Sequence, residues 1–226
     1  MNFAVFETST EWCSVALWLD GEIRALERRA GNGHSELLLP MLESLLEQAG
    51  LDARRLDAVA FGAGPGAFTG LRIACGAAQG IALARGVPVL GVSSLEALAE
   101  ESGAARVVAC LDARMREVYY CALEKDSRRA VARWREVIAA QCVAPAEAPP
   151  PPGAGWLGCG NGFAAYRDVF RERLADMRPE LHPSAVAVAR LAAPRLAAGE
   201  GVDAALATPS YLRDKVALTT EERGRR

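Results

Sequence analysis

The chain has 226 residues, of which 51% are hydrophobic and 24% charged, and its formal net charge at pH 7 is −2. These proportions are typical of an ordinary globular protein that is long enough to bury a core. A protein that grips RNA by itself needs a surplus of basic residues to neutralise phosphates, so the near balance of charge excludes that class.

The six cysteines are widely spaced, and no two of them form a metal or redox motif. They are expected to act as small hydrophobic residues. No run reaches the roughly 18 apolar residues of a membrane span, and the opening residues do not have the pattern of a signal peptide. The sequence therefore predicts a reduced, cytoplasmic protein with no membrane partner.

Hydrophobic periodicity and turn signals predict an α/β protein made of two successive units. In the first unit, we expect strands at 2–6, 13–19 and 22–29, a helix at 34–49, a strand at 57–61, a helix at 69–84, a strand at 89–92 and a helix at 95–101. The second unit is predicted to contain strands at 107–111, 117–123, 130–137 and 156–160, helices at 162–174 and 184–196, and an extended segment at 209–213. Both units begin with strands and finish with helices, which is a weak sign of a duplicated fold.

A glycine-rich turn, from Phe61 to Ile73, joins the fourth predicted strand to the second predicted helix. Such a turn at a helix N-terminus can bind an anion, and the hydroxyl-rich end of the first strand could meet it there. Thr69 is also placed to cap the helix. No lysine follows the glycines, so the turn is not a Walker A loop. The candidate phosphate-proximal residues are Glu7, Thr8, Gly64, Gly66 and Thr69.

The first two predicted helices have unusual surfaces. The helix at 34–49 is apolar on most sides, and the helix at 69–84 presents alanines four residues apart beside Gly76 and Gly80. Small residues of this kind fit a helix pressed onto its own sheet, and they equally fit a helix shared with a second subunit. Under the second interpretation, the expected interface residues are Leu38, Met41, Leu42, Leu45, Leu71, Ala74, Ala78 and Ile81.

Other catalytic constellations are weak. His34 and His182 are the only histidines, and neither has a second histidine at helical spacing, so no metal site is predicted. His34 is expected at the surface or in an interface at the start of its helix. No serine lies in a nucleophile elbow, and Ser93 is better explained as a helix cap.

Several short motifs occur along the chain. Those of the first unit are Glu7-Thr8-Ser9-Thr10, His34-Ser35-Glu36, the run Gly64 to Arg72 and Val92-Ser93-Ser94-Leu95. Those of the second unit are Asp112-Ala113-Arg114, Glu117-Val118-Tyr119, Gly160-Asn161-Gly162 and Pro209-Ser210-Tyr211-Leu212-Arg213. Together they resemble the TsaB family, also called YeaZ, over nearly the whole chain. One departure is Glu7, where many relatives have aspartate.

The resemblance implies an actin-like (sugar kinase/Hsp70-type) α/β fold in two lobes, at residues 1–103 and 104–226, with the last segment packed back on the first lobe. It implies a non-catalytic assembly subunit for N6-threonylcarbamoyladenosine synthesis in tRNA, at the adenosine beside the anticodon. The implied partners are the transferase TsaD, in a heterodimer, and the small ATPase TsaE, while the lone protein forms a homodimer.

The same resemblance implies that tRNA is reached only through the complex. No cofactor is implied for this chain itself, and ATP or ADP would belong to the complex. The alternative is a stand-alone hydrolase, either a protease or an ATPase, that uses the actin-like cleft.

Overall fold

The computed structural model describes residues 1–31, 33–126, 133–174 and 176–213, which contain two five-stranded sheets. The first sheet consists of β1 (Asn2–Glu7), β2 (Trp12–Leu19), β3 (Glu22–Arg29), β4 (Ala58–Gly64) and β5 (Val89–Ser93). The second sheet consists of β6 (Arg106–Asp112), β7 (Val118–Asp126), β8 (Arg133–Val143), β9 (Leu157–Cys159) and β10 (Asp176–Arg178).

The two sheets have the same topology. The strand order is β3-β2-β1-β4-β5 in the first sheet and β8-β7-β6-β9-β10 in the second. In each sheet the first three strands are antiparallel, and the last two are added in parallel to the first strand. Parallel addition requires crossover connections, which the helices supply. This shared topology confirms the duplication that the sequence indicated only weakly.

Helices fill the layers around and between the sheets. They are α1 (His34–Ala49), α2 (Phe68–Arg85), α3 (Ser94–Ser102), α4 (Gly162–Ala165), α5 (Arg167–Phe170) and α6 (Ala185–Ala197). Helices α1 and α2 cover the outer face of the first sheet, and α3 and α6 lie between the two sheets in a shared apolar core. Helices α4 and α5 pack on the far face of the second sheet. The result is a two-lobe α/β architecture of five layers.

Helix ends follow the local sequence signals. Gly50 and Gly86 adopt the left-handed conformation, with φ of 60° and 64°, and end α1 and α2. Ser93 caps α3 by accepting a hydrogen bond from the Glu96 amide at 3.4 Å, as the sequence predicted. Ser184 caps α6 in the same way. These caps fix where each crossover helix leaves its sheet.

The second unit departs from the predicted elements in two places. The helix expected at 162–174 is interrupted at Tyr166 and forms the short helices α4 and α5. Strand β10 was not predicted, because its three residues have a single apolar side chain, Met177, between two charged ones and so carry no strand pattern. Of the strand expected at 130–137, the positions before 133 lie outside the described residues. Helix α6 returns to the first sheet, while the lobe boundary at 103 and 104 stays a prediction.

Candidate functional site

Glu7 ends β1 inside the core. Its side chain is 1% exposed, and its two oxygens accept hydrogen bonds from the Ser9 amide at 2.6 Å and from the Ser94 hydroxyl at 2.9 Å. A Cβ added to Gly62 would lie 1.8 Å from Glu7 Oε2, so only glycine leaves room for this carboxyl. Burial raises the pKa of Glu7, and the hydrogen bonds from Ser9 and Ser94 oppose part of that rise. The carboxyl therefore ties β1 to α3 and does not face a ligand.

The glycine turn packs directly against the end of β1. The Thr8 hydroxyl donates to the Gly70 carbonyl at 2.8 Å, and a Cβ on Gly70 would lie 1.9 Å from the Thr8 carbonyl oxygen. The Ala67 amide donates to the Ser9 carbonyl at 2.7 Å, and a Cβ on Gly66 would lie 2.4 Å from that oxygen. The glycines thus admit the chain's own backbone at the place where the sequence predicted a phosphate.

The five phosphate-proximal residues differ in their exposure to the cavity beside the turn, and their role toward a phosphate stays a prediction. Glu7, Thr8 and Gly64 are buried and already in contact with other parts of the chain, and only Gly66 and Thr69 reach the surface of a cavity. Thr69 is not the helix cap, because α2 begins at Phe68 and its N-cap position is Ala67, whose side chain has no polar atom. The backbone at Thr8 and Ser9 occupies the space beside the glycines, so the turn does not form an open phosphate-binding loop. A phosphate role for the turn stays a hypothesis.

A cleft of about 730 Å³ lies beside the glycine turn, between the two units. Residues 9–11 and 65–71 form its first wall, residues 111–115 form the opposite wall, and residues 210–213 close one side. The resemblance implied a cleft between the two lobes, and the volume of this one is in the range of small-molecule sites.

A strained turn forms part of the second wall of the cleft. Arg114, Met115 and Arg116 have φ angles of 61°, 53° and 63°, which place three successive non-glycine residues in the left-handed region. Each such residue costs roughly 1–2 kcal/mol. Asp112 accepts a hydrogen bond from the Arg114 amide at 2.9 Å, and Asn161 accepts one from the Asp112 amide at 2.9 Å. Strain of this kind clusters at functional sites.

The extended segment 207–213, which we call the strap, connects the two walls. The Ser210 amide donates to the Ala63 carbonyl at 2.7 Å, on the first sheet. At the other end, Arg213 donates to the Arg114 carbonyl at 3.3 Å and to the carboxylate of Glu117. The sequence did not indicate that Arg213 hydrogen-bonds to the strained turn, because Arg114 lies about 100 residues earlier in the chain.

Most of the predicted interface residues on α1 and α2 are buried within this chain, and their role in a partner interface stays a prediction. All of them except Ile81 are at most 6% exposed. Those other than Leu71 and Ile81 are buried members of the core that α1 and α2 form with the first sheet. Ile81 is partly buried against the same core. In this fold the chain's own sheet covers the apolar stripe of the two helices, and their other sides face outward.

Paired substitutions on α1 test this assignment. Leu42→Ala is expected to lower the free energy of unfolding by about 2–5 kcal/mol, because Leu42 is 5% exposed in the core. Leu39→Ala, one turn earlier on the outer side, should change it by no more than about 0.5 kcal/mol, because Leu39 is 48% exposed. Urea denaturation of the lone protein measures both. Equal losses at the two positions would contradict the assignment of faces.

The outward side of α2 contains two unexplained glycines. Gly76 and Gly80 are exposed, and a Cβ on either would meet no atom within 4 Å. Glycine inside a helix costs about 1 kcal/mol relative to alanine, so the lone chain has no packing reason to keep them. Leu83, one turn further along, is 74% exposed. A backbone from another molecule that approaches this row would explain the glycines.

His34 lies inside the protein and not at its surface, while the alternative position in an interface stays a prediction. It begins α1, is 5% exposed and lines the cleft. Burial lowers the pKa of His34, and a hydrogen bond to the backbone of Thr10 opposes this effect. Among the described residues, no group of three or more metal-ligating side chains comes together. Within the same part of the chain, no helix is long and apolar enough to cross a membrane.

The cysteine thiols are poorly suited to nucleophilic chemistry. Burial raises the pKa of Cys13 to about 11 and that of Cys159 to about 12. Burial likewise raises the pKa of Cys75, Cys110, Cys121 and Cys142. These thiols stay protonated at neutral pH and serve as packing residues.

His182 joins the start of α6 to the first sheet. Its Nε2 lies 2.9 Å from Glu27 Oε1, and its ring stacks on Trp12 with centroids 4.5 Å apart. Burial alone would lower the pKa of His182, but the hydrogen bond and the charge of Glu27 outweigh it and raise the pKa. Burial alone would raise the pKa of Glu27, but the hydrogen bond from His182 lowers it. Both shifts favour the charged pair.

The two shifts predict a pH-dependent stability. The raised pKa of His182 adds stability that is present below its ordinary value of 6.5 and is lost as pH rises through the raised value. The lowered pKa of Glu27 adds stability that is present above 4.5 and is lost as pH falls through the lowered value. His182→Gln should therefore reduce the urea midpoint more at about pH 5.5 than at about pH 8.5. An equal reduction at both pH values would contradict the pair.

Comparison with known proteins shows which families have a similar sequence and structure. The family model described as "TsaD: tRNA N6-adenosine threonylcarbamoyltransferase" matches residues 27–220. The chain is similar to the tRNA threonylcarbamoyladenosine biosynthesis protein TsaB of Escherichia coli, with 35% identity and 96% of each chain covered. It is also 35% identical to the TsaB protein of Haemophilus influenzae, covering 96% of this chain and 95% of the relative.

Solved structures agree with the sequence matches. The structure of YeaZ from Pseudomonas aeruginosa superposes with a TM-score of 0.84 and 39% identity, covering 93% of this chain and 99% of that one. A second structure from the same organism is described as an uncharacterized protein with similarity to the peptidase YeaZ, with a TM-score of 0.85 and 38% identity over 94% of this chain and 99% of that one. The chain therefore has the two-lobe actin-like fold and belongs to the TsaB (YeaZ) family, within the wider family that the TsaD model describes.

Proposed function

We propose that this chain serves the synthesis of N6-threonylcarbamoyladenosine in tRNA as a non-catalytic assembly subunit that pairs with and activates TsaD. The observation that carries the proposal is the 35% identity to TsaB biosynthesis proteins over 96% of the chain. The proposed setting is the cytoplasm, with tRNA bound through the complex and with TsaE as a further component.

Three features of the chain support an assembly role over a stand-alone hydrolase. Glu7 is enclosed by hydrogen bonds in the core, and the glycine turn holds the chain's own backbone where an anion would lie. The thiols whose pKa is raised by burial are protonated and buried. A protease or ATPase would need a nucleophile or a phosphate cradle with free groups, and these residues are already engaged.

The pairing surface that we propose consists of the outward sides of α1 and α2, which we call the outer helix face. It contains the open row of Gly76 and Gly80, together with the exposed Leu39 and Leu83. Small residues let helix backbones approach closely, and the exposed leucines supply apolar contact. A stable pairing of this kind would bury on the order of 1,600 Å² in total. The homodimer expected of the lone protein would use the same surface, so the stabilities of α1 and α2 variants are compared at concentrations where light scattering shows a monomer.

The function is tested by complementation in a bacterium whose own TsaB protein has been depleted. Expression of this chain together with its cognate TsaD should restore N6-threonylcarbamoyladenosine in total tRNA, measured by nucleoside mass spectrometry. TsaD expressed alone is the control. Unchanged nucleoside levels in cells that contain both folded proteins would overturn the proposal. So would peptide or ATP turnover by the purified chain that disappears in the Thr69→Ala variant.

A further inference from the structure

Three of the described residues that line the cleft carry a buried polar atom without a hydrogen-bond partner. Within the described part of the chain, four buried side-chain polar atoms have no hydrogen-bond partner, and three of them belong to residues that line this cavity. They are Ser9 Oγ, His34 Nδ1 and Arg213 Nε. Ser9 and His34 are only 3% and 5% exposed. A buried polar atom without a partner is costly, so this grouping points to a ligand that completes the bonds.

The hydrogen-bonding character of these atoms restricts the ligand. Nδ1 of a neutral His34 imidazole accepts a hydrogen bond in one tautomer and donates one in the other. Arg213 Nε can only donate, and the Ser9 hydroxyl can do either. A ligand must therefore present an acceptor to Arg213, and a ligand that has both donors and acceptors satisfies all three groups in either tautomer. The amide groups of a polypeptide offer both at short spacing.

The charge of the cleft argues against a phosphate ligand. Glu11 and Asp112 line the cavity together with Arg114 and Arg213, so the acidic and basic side chains balance. Asp112 also forms an ion pair with Arg114 at 3.4 Å. The turn amide nearest to the end of β1, that of Ala67, is already bonded to Ser9. The phosphates of a nucleotide would lie near the carboxylates of Glu11 and Asp112, and the Ala67 amide would not be available to bind them.

The rim of the cleft is apolar and open. Phe68, Met115 and Tyr211 are 42%, 61% and 45% exposed, and all three line the cavity. Phe68 and Tyr211 are in contact with ring centroids 5.5 Å apart, and Arg72 lies over the Phe68 ring at 3.8 Å. Aromatic residues, methionine and arginine are enriched at protein interfaces. Such a rim fits apolar side chains on either side of a bound amide.

We propose that the cleft receives a peptide segment of the same TsaD partner that covers the outer helix face. The two surfaces are continuous, because Phe68 and Arg72 at the rim begin the helix whose exposed side continues through Gly76 and Gly80 to Leu83. The segment inserts uncharged amides toward Ser9, His34 and Arg213 and lays an apolar side chain against Phe68 and Met115. This inference rests on the proposed pairing and adds a second contact to it.

Photo-crosslinking of the full-length chain in its complex tests this contact. The chain carries p-benzoylphenylalanine at position 115, is mixed with cognate TsaD and is irradiated, and the products are mapped by mass spectrometry. We expect crosslinks to one continuous segment of TsaD. Thr69→Trp, which fills the cleft from an exposed position, should reduce their yield at least tenfold, and the matched Thr69→Val should not. Light scattering on the same samples reports pairing separately.

The outcomes separate the two proposals. Intact pairing without crosslinks to TsaD, or with a yield that Thr69→Trp leaves unchanged, would overturn the peptide site and leave the pairing in place. Loss of the crosslink on adding millimolar ATP, with pairing intact, would assign the cleft to a nucleotide and also overturn it. Absence of pairing in the unsubstituted mixture would overturn the proposed function and this inference together.

Discussion

Gly80→Leu is expected to abolish pairing with TsaD while making the lone chain slightly more stable. Gly80 is exposed in the middle of α2, and a Cβ there would meet no atom within 4 Å, so the fold has room for a side chain. Leucine should raise the free energy of unfolding by about 0.5–1 kcal/mol, because glycine is a poor helix former. A leucine side chain would keep a partner's backbone from approaching. We expect affinity for TsaD to fall about a hundredfold or more, or roughly 3 kcal/mol.

Titration calorimetry of the variant against TsaD measures this effect, and urea denaturation measures its stability. Ala197→Leu is a matched control, because it adds a leucine at an exposed position on α6, which packs on the other face of the first sheet from α1 and α2. The control should retain the affinity of the parent chain. Undiminished binding by Gly80→Leu would show that the partner does not cover this row of α2.

Gly70→Ala is expected to have the largest effect on folding. Its added Cβ would lie 1.9 Å from the Thr8 carbonyl oxygen, a backbone atom that cannot move aside without disturbing the end of β1. It would also strain the hydrogen bond from Thr8 to Gly70. We expect a loss of about 3 kcal/mol or more in the free energy of unfolding.

The control for this prediction is Gly76→Ala, on the same helix, where a Cβ would meet open space. It should be neutral or stabilising by up to about 1 kcal/mol. In thermal and urea unfolding of the two variants, measured alone, Gly70→Ala should therefore lower the midpoint and Gly76→Ala should leave it unchanged or raise it. A Gly70→Ala protein as stable as its parent would mean that the turn is not packed against β1 as described.

The sequence predicted most elements of the first unit because periodicity and turn chemistry agreed there. Asp20-Gly21 predicted the β2–β3 hairpin, and Gly50 marked the end of α1. The orientation of α1 could not be predicted, because leucines occur on nearly all its sides and a stripe does not say what covers it. The core stripe of Leu38 and Leu42 was therefore assigned to a partner, while the outward Leu39 was not.

The site was harder to predict than the fold, because its geometry depends on contacts between distant segments. The close approach of the glycine turn to Thr8 and Ser9 could not be derived from spacing, so the same glycines suggested a phosphate. The hydrogen bond from Arg213 to the Arg114 carbonyl could not be predicted either, because the two residues are far apart in the sequence. The left-handed turn at Met115 could not be predicted because it contains no glycine. The outward glycines of α2 were visible in the sequence, but only the structure separates them from the buried alanine row.

The most direct test of the account is the mass of the purified chain mixed with its cognate TsaD, measured by light scattering during size-exclusion chromatography. The account predicts a single species with the summed mass of one copy of each protein, and its loss when Gly80 is replaced by leucine. Two separate peaks for the unsubstituted proteins at micromolar concentration would contradict it.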